Sequence, residues 1–187
     1  MLVSRLAHGI MLVDSFADDS KFWRNEKKCI AKAFEKNKIQ SVSRSGVRWL
    51  GLQHLLVVWS HERRYMNVLR STFATFSRFI ALHVSAIELC VVDEFFVEEK
   101  LVAFAVSVQK GSALRNLWFY CSKEASKFCI FPQCVLLGLH RARANDCKIL
   151  DSGPSSESLR AAKEKFGFVF RSDYHDYYKG AYKVIKC

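Results

Sequence analysis

Apolar residues recur at helical spacing in the first half of the chain. Trp23, Ile30 and Phe34 lie seven and four residues apart in KFWRNEKKCIAKAFEKNK, and the lysines fall largely on the opposite face. This pattern predicts an amphipathic helix packed on the domain, preceded by capping side chains at residues 18–20. Apolar positions at intervals of three or four residues then predict two further helices within Trp49–His83.

Two segments beside the first helix are less regular. Gly9–Val13 (GIMLV) is too short to assign between helix and strand, and the polar segment Ile39–Gly46 is predicted to be a loop or a short strand. We predict a basic N-terminal helical extension over residues 1–48 and a main domain over residues 49–187, which together form a single compact unit.

Alternation replaces the helical spacing from Glu88 onward. Glu88–Val97 and Leu101–Val108 are rich in β-branched and aromatic residues and are separated by a short charged turn, which predicts a hairpin. Leu114–Cys121 (LRNLWFYC) predicts a third strand, so the three strands form an antiparallel meander. In the second strand, bulky side chains alternate with small ones, namely Val102, Phe104, Val106 and Val108 with Ala103, Ala105 and Ser107.

Helix and strand alternate in the last third of the chain. Pro132 suits the first turn of a helix that continues through Gln133–Asn145, and Lys148–Asp151 (KILD) predicts a short strand. A second helix follows a Gly-Pro turn, and its predicted buried residues and left-handed stop are Leu159, Ala162, Phe166 and Gly167. Phe168–Phe170 begins another strand. Together these elements predict an α/β (α+β) fold with a mixed, mostly antiparallel sheet flanked by helices.

The net charge of +11 is concentrated near the start of the chain. Nine Lys or Arg residues lie between Lys21 and Arg48, against only Glu26 and Glu35. Such a surface favours an anionic partner, either nucleic acid, a phosphorylated cofactor or an acidic membrane face. An RNA contact through Lys21–Arg48 is one prediction, and a solvated helix face that keeps the protein soluble is the other.

Seven cysteines are present, and none is paired in CxxC spacing or clustered with histidine. This pattern argues against a zinc site, so we predict no metal. Free thiols, mostly buried, are typical of a reducing compartment, which predicts an intracellular and cytoplasmic protein. No apolar run reaches the length of a transmembrane helix, and no leader peptide is evident. No nucleophile-elbow motif supports Ser/His/Asp catalysis.

The stretch ILDSGPSSESLRAAKEKFGF, together with the element order, resembles the GCN5-related N-acetyltransferase (GNAT) superfamily. The resemblance covers Trp49 to about Ile185. Lys165–Phe168 (KFGF) is similar to the end of the family's strand–turn–helix unit. The Asp-x-Gly turn and the Lys before Phe-Gly also resemble the Fem-like branch of aminoacyl transferases. The resemblance implies an acyltransferase whose donor is acetyl-CoA or another acyl-CoA, held along the strand that contains Leu117 and Phe119.

The sequence departs from the family at the donor site. The family has a glycine loop just before the helix that follows the meander, where backbone N–H groups bind the pyrophosphate of coenzyme A. Phe128–Cys134 (FCIFPQC) occupies this place and contains no glycine, so Pro132 and Gln133 stand where the phosphates would bind. Lys123 and Lys127 are candidate charge partners. Ser156 takes the place of the family's helix-capping Asn.

The resemblance also suggests the catalytic residues. Lys163 stands where the family has a Tyr that protonates the leaving thiolate, and a protonated Lys is able to serve as that acid. The candidate bases for the incoming amine are Asp93, Glu94 and Asp151. We favour Asp151, because it ends a short strand where a cleft would open, although a turn-capping role also suits it. Tyrosines at positions 174, 177 and 178 line the acceptor side or pack at the domain edge.

Three functions remain open at this stage. The first is an N-acyltransferase that moves an acyl group, most simply acetyl, from acyl-CoA to an amine. The second is a Fem-like transferase that takes its acyl group from aminoacyl-tRNA, which needs no pyrophosphate loop and gives the basic segment a partner. The third is a non-catalytic GNAT-like interaction module. The acceptor and the acyl group are not determined by the sequence.

Overall fold

The protein is described by a computed structural model over residues 8–45, 89–154 and 157–171. In these ranges the strands are β1 (His8–Leu12), β2 (Gln40–Ser45), β3 (Leu89–Val97), β4 (Lys100–Lys110), β5 (Ala113–Cys121), β6 (Ile149–Pro154) and β7 (Val169–Arg171). The α-helices of the same ranges are α1 (Lys21–Lys36), α2 (Ile130–Ala144) and α3 (Glu157–Glu164), and a short 3-10 helix spans Ala125–Lys127.

The described strands form one seven-stranded sheet in the order β2-β3-β4-β5-β6-β1-β7. All neighbours in it are antiparallel except β5 and β6. The predicted mixed, mostly antiparallel sheet with flanking helices is therefore confirmed.

The predicted meander is confirmed as β3, β4 and β5. Glu98 and Glu99 form the two-residue loop between β3 and β4 with φ of 49° and 64°, and Gly111 begins the next loop with φ of 55°. Left-handed residues in such short loops match the right-handed twist of the strands that they join. The local sequence alone thus accounts for this half of the sheet.

The first 45 residues contribute two strands to the same sheet. β1 lies between β6 and β7 and is antiparallel to both, and β2 pairs with β3 along its whole length. Strands from both sides of residue 48 therefore build one sheet. The predicted domain boundary itself lies outside the described residues, as do the helices predicted within Trp49–His83.

The core lies between the sheet and helices α1 and α2. The side chain of Ser20 caps α1 by accepting a hydrogen bond from the Trp23 N–H at 3.3 Å, and Trp23 and Ile30 are buried, as predicted. The small residues Ala103 and Ala105 of β4 share a buried cluster with the first turns of α2. Their size lets the helix approach the sheet closely, so the predicted small face of this strand is the one under α2.

Two of the three residues predicted to be buried on α3 are exposed, whereas Phe166, which follows the helix, packs against the main core. Leu159 is 51% exposed and Ala162 is also exposed. The helix instead contacts β1 and β7 through a polar side, on which the Arg160 guanidinium lies 5.2 Å from the centre of the Phe170 ring. The Phe170 ring of β7 and the Ser152 carbonyl of β6 lie beneath this side of the helix, and both attract cationic side chains. The predicted stop at Gly167 is confirmed by its φ of 93°.

Candidate active site at the separation of two strands

The central feature is the separation of β5 and β6 in the middle of the sheet. The two strands pair only at Ala113–Ile149, Leu114–Leu150 and Arg115–Asp151. Beyond these positions, β5 continues beside β4 while β6 continues beside β1. Backbone groups along such a gap are no longer engaged by the neighbouring strand and are suited to bind an extended ligand.

A β-bulge lies at the start of this gap. Val106 faces Trp118 and Ser107 faces Asn116, so Leu117 is the extra residue of β5 and has no partner on β4. An extra residue of this kind bends its strand and takes its backbone groups out of the ladder. Leu117, which the resemblance placed against the acyl carbonyl, therefore lies at the bulge. Phe119 follows two residues later and is partly buried.

Three strands bring polar side chains together beside the bulge. The Asp151 carboxylate is fully buried, and both of its oxygens lie 3.3 Å from His8 Nδ1. The Gly153 N–H donates to the same carboxylate at 2.7 Å, and Arg115 Nε lies 3.7 Å from it. Because Leu114 and Leu150 face the core under α2, this cluster lies on the opposite face of the sheet.

Lys163 contacts strand β6 from α3. Its Nζ donates a hydrogen bond to the Ser152 carbonyl at 2.7 Å. Burial lowers the pKa of Lys163 to about 8, against the opposing effect of the Asp151 carboxylate, which raises it. The structure thus brings together Asp151 and Lys163, the two residues that we predicted as catalytic. An amine with a pKa near neutrality is well matched to proton transfer.

Aromatic rings fill the space between the bulge and the start of α2. The Phe131 ring lies 5.5 Å from that of Phe119 and 5.4 Å from that of Phe166, and Phe166 in turn contacts Phe22 and Trp23. Such edge-to-face contacts stabilise a packed aromatic cluster. The region where the resemblance places the phosphates of coenzyme A is therefore occupied by apolar side chains.

The first turn of α2 offers little to a phosphate. The residue before it, Cys129, has a left-handed φ of 55° and makes no side-chain cap. Pro132 is buried and has no N–H to donate, and Gln133 is partly buried. Lys123 and Lys127 are exposed nearby in sequence, and the Lys127 ammonium lies 6.0 Å from the centre of the Phe128 ring.

The other predicted candidates lie elsewhere or outside the described residues. Asp93 is buried in an ion pair with Arg141, and Glu94 pairs with Arg44 near the surface, so neither belongs to the polar cluster. Ser156 and the three tyrosines lie outside the described residues. Burial raises the pKa of Cys90 and of Cys121 to about 11, which opposes a thiolate nucleophile at either position.

The described part of the chain has neither a cluster suited to a metal ion nor a membrane-spanning helix. Residues 8–45, 89–154 and 157–171 contain no cluster of three His, Cys, Asp or Glu side chains suited to a metal ion. They also contain no helix that is long and apolar enough to cross a membrane.

His8 and Arg115 are site residues that the sequence did not reveal. His8 directly precedes Gly9–Val13, the segment too short to assign, and its contact with Asp151 joins residues 143 positions apart. Arg115 alternates with Leu114 in a strand that was correctly predicted. The parallel register of β5 and β6 is what brings it opposite Asp151, and that register has no local sequence pattern.

Solved structures match this fold over most of the chain. L-PGS from Bacillus licheniformis is 15% identical with a TM-score of 0.57, and the match covers 89% of this chain and 58% of that one. FemX is 13% identical with a TM-score of 0.59, over 91% and 61%. A tandem GNAT protein from the clavulanic acid biosynthesis pathway is 9% identical with a TM-score of 0.53, over 87% and 50%.

The chain spans between half and about three fifths of the length of these structures. No protein-family model and no curated protein matches the sequence. At these identities the likeness concerns the fold alone. The predicted resemblance is thus confirmed at that level: the chain has a GNAT-like fold, similar to those of FemX and L-PGS.

Proposed function

We propose that the chain is an N-acyltransferase that moves an acyl group, most simply acetyl from acetyl-CoA or another acyl-CoA, to an amine at the separation of β5 and β6. One observation carries this proposal. The separation of β5 and β6 begins after the Arg115–Asp151 pair, the backbone bulge at Leu117 lies on its β5 side, and the part-buried amine of Lys163 contacts the Ser152 carbonyl on its β6 side. Acyl transfer needs a hydrogen-bond donor to the oxyanion, a base for the amine and an acid for the leaving group. These groups have the required chemistry.

The reaction assigns one role to each group. The amine nitrogen attacks the acyl carbonyl, a C–N bond forms, and the bond from the carbonyl carbon to the sulfur or oxygen of the donor breaks. Backbone N–H groups at the Leu117 bulge stabilise the oxyanion. The His8–Asp151 pair receives the proton of the amine, and Lys163 gives a proton to the leaving sulfur or oxygen.

The donor is proposed to lie along β5. Leu117 and Phe119 would border its acyl end, and the turn with Pro132 and Gln133, together with Ser156, would border its distal end, as the resemblance implies. AcCoA is the ligand named for the tandem GNAT neighbour, whose structure was solved without it.

A second donor is favoured by a specific observation. Phe131 fills the place of the pyrophosphate loop through its contacts with Phe119 and Phe166. A donor without a pyrophosphate, such as the aminoacyl ester of a tRNA, needs no glycine-lined turn there. The fold likeness to FemX is compatible with this alternative.

Thermal unfolding with acetyl-CoA separates the two donors. Acetyl-CoA at about 100 times its Kd stabilises a native protein by about 2.7 kcal/mol, which raises the Tm by several degrees for a chain of this size. We expect such a rise if acyl-CoA is the donor. If the Tm is unchanged while an aminoacyl-tRNA is deacylated faster in the presence of an amine, the second donor is supported. Failure of both would leave the non-catalytic interaction module.

A further inference from the structure

Helix α1 presents a row of exposed basic side chains. Arg24, Lys28, Lys32 and Lys36 follow one another at intervals of four residues, and all four are exposed. Residues at this spacing are neighbours along a helix, about 6 Å apart along its axis. Lys21 is also exposed and precedes Arg24 by three residues, which extends the row to the start of the helix.

The charge of this row is largely uncompensated. In the part of the chain that the structure describes, Lys27 is the α1 residue found in an ion pair, with Asp18. Glu35 is the one carboxylate of α1 that the helical spacing places beside the row, since Glu26 lies near Cys129. Like charges four residues apart destabilise a helix by about 0.2–0.5 kcal/mol per pair. A polyanion on this face would relieve that repulsion.

The opposite face of α1 distinguishes a nucleic acid from a membrane. Trp23 and Ile30 are buried against α2 and the sheet, with Phe34 packed beside them. A helix that binds a bilayer inserts its apolar face between the lipids. Because that face is committed to the protein core, only the basic row is available, and this favours a ligand with regularly spaced phosphates.

An exposed aromatic ring lies at the start of α1, next to Lys21 in the sequence. Phe22 is 40% exposed and contacts both Trp23 and Phe166, with ring centres 5.6 and 5.8 Å apart. Basic side chains next to an exposed aromatic ring form the usual platform for single-stranded nucleic acid, in which bases stack and phosphates pair. From Phe22 the ring contacts continue through Phe166 and Phe131 to Phe119 on β5.

We infer that α1 is a binding surface for single-stranded RNA. The phosphates contact the row of Lys21, Arg24, Lys28, Lys32 and Lys36, and a base stacks on Phe22. This surface lies outside the catalytic residues proposed above. The additional idea that the bound RNA carries the acyl group toward β5 rests on the proposed function.

Fluorescence anisotropy with a labelled octauridylate tests this surface. The double variant Lys28→Glu/Lys32→Glu is expected to lower affinity at least tenfold. It should also reduce the magnitude of the slope of log K against log salt by about 1.4. Each phosphate contact with a single strand contributes about 0.7 to that slope, and two contacts are removed. Phe22→Leu should lower affinity about fivefold or more with an unchanged slope, because stacking is worth about 1–3 kcal/mol per base.

The control is Lys100→Glu/Lys148→Glu, which makes the same change in net charge at two exposed positions outside α1. We expect it to change affinity less than threefold. An equal loss in both double variants, or binding to phosphatidylserine vesicles without binding to the RNA, would overturn the inference. Because the assay involves no turnover, a failure of acyl transfer would remove the proposed function and leave this surface intact.

Discussion

Lys163 and Asp151 show how the environment of a residue sets its chemistry. Lys163 is a surface-type residue on a short polar helix, but its Nζ is held against the Ser152 carbonyl and is largely removed from water. Burial disfavours the charged amine, and the nearby carboxylate of Asp151 limits that effect without cancelling it. The proposed acid therefore has a pKa suited to its role because of where α3 packs.

The pKa of Lys163 has a consequence for stability. Unfolded lysine titrates near 10.5 and the native residue near 8, so the unfolded chain binds more protons between these values. The contribution of this group to the free energy of unfolding must therefore rise as pH increases from about 8 to 10.5, by an amount on the order of 3 kcal/mol.

We expect Lys163→Met to abolish this rise, as measured by urea unfolding at several pH values. Cys90 and Cys121 shift stability in the opposite direction over the same range, because burial raises their pKa values. The quantity to compare is thus the difference in unfolding free energy between wild type and variant at each pH. The exposed neighbour Lys165→Met is the control, and a wild-type-like pH dependence in Lys163→Met would contradict this assignment.

Asp93 and Glu94 are adjacent, but their surroundings differ. Asp93 accepts two hydrogen bonds from the Arg141 guanidinium at 2.8 and 3.0 Å and one from Ser43 at 2.6 Å, which joins β3, α2 and β2. Asp93→Asn leaves a buried guanidinium without its counter-charge, so we expect a loss of about 3–5 kcal/mol in unfolding free energy. Glu94→Gln removes a pair with the well-exposed Arg44 and should cost less than about 1 kcal/mol. Equal losses of unfolding free energy in the two variants would show that the Asp93–Arg141 ion pair does not contribute more to stability than the surface pair.

At the scale of elements, the sequence predicts what is local. The meander and the helix–strand–helix unit follow from alternation, helical spacing and turn residues that lie within the segments themselves. Strand β1 could not be predicted in this way. Its strand conformation depends on pairing with β6 and β7, which follow it by more than a hundred residues. The face of α3 was wrongly predicted from Leu159 for a related reason. Apolar spacing identifies the core side only when aliphatic side chains make the contacts, and here Lys163 on the Ser152 carbonyl and Arg160 on the Phe170 ring make them.

Strand β1 offers a direct test of its place in the sheet. Met11 is 2% exposed within the main core, whereas its neighbour Leu12 is 46% exposed. Met11→Ala should lower the unfolding free energy by about 2–5 kcal/mol, because it leaves a cavity between β1 and the helices. Leu12→Ala should cost less than about 1 kcal/mol, as expected for a surface position. Similar small effects in chemical denaturation of both variants would mean that β1 is not part of the core.

At the scale of the whole molecule, the candidate site is a product of topology. β1, β5 and β6 supply His8, Arg115 and Asp151, and α3 supplies Lys163. The resemblance to the GNAT fold suggested Asp151 and Lys163 as candidates, and they lie on one strand–turn–helix unit. It was insufficient for the other two, because their positions depend on strand order and register. The same topology places the aromatic cluster around Phe131 where a glycine loop would bind phosphates, which is the observation behind the second proposed donor.

The central claim is that an acyl group is transferred to an amine at the gap between β5 and β6. The most direct measurement is the rate of acyl transfer to hydroxylamine from acetyl-CoA and from alanyl-tRNA, above the rate without protein. We predict transfer from at least one donor, with a loss of a hundredfold or more in Asp151→Asn and in Lys163→Met. Wild-type rates are expected in Glu94→Gln and Lys165→Met, and thermal melts confirm that each variant is folded. No transfer from either donor, or equal rates in folded Asp151→Asn and wild type, would contradict the account.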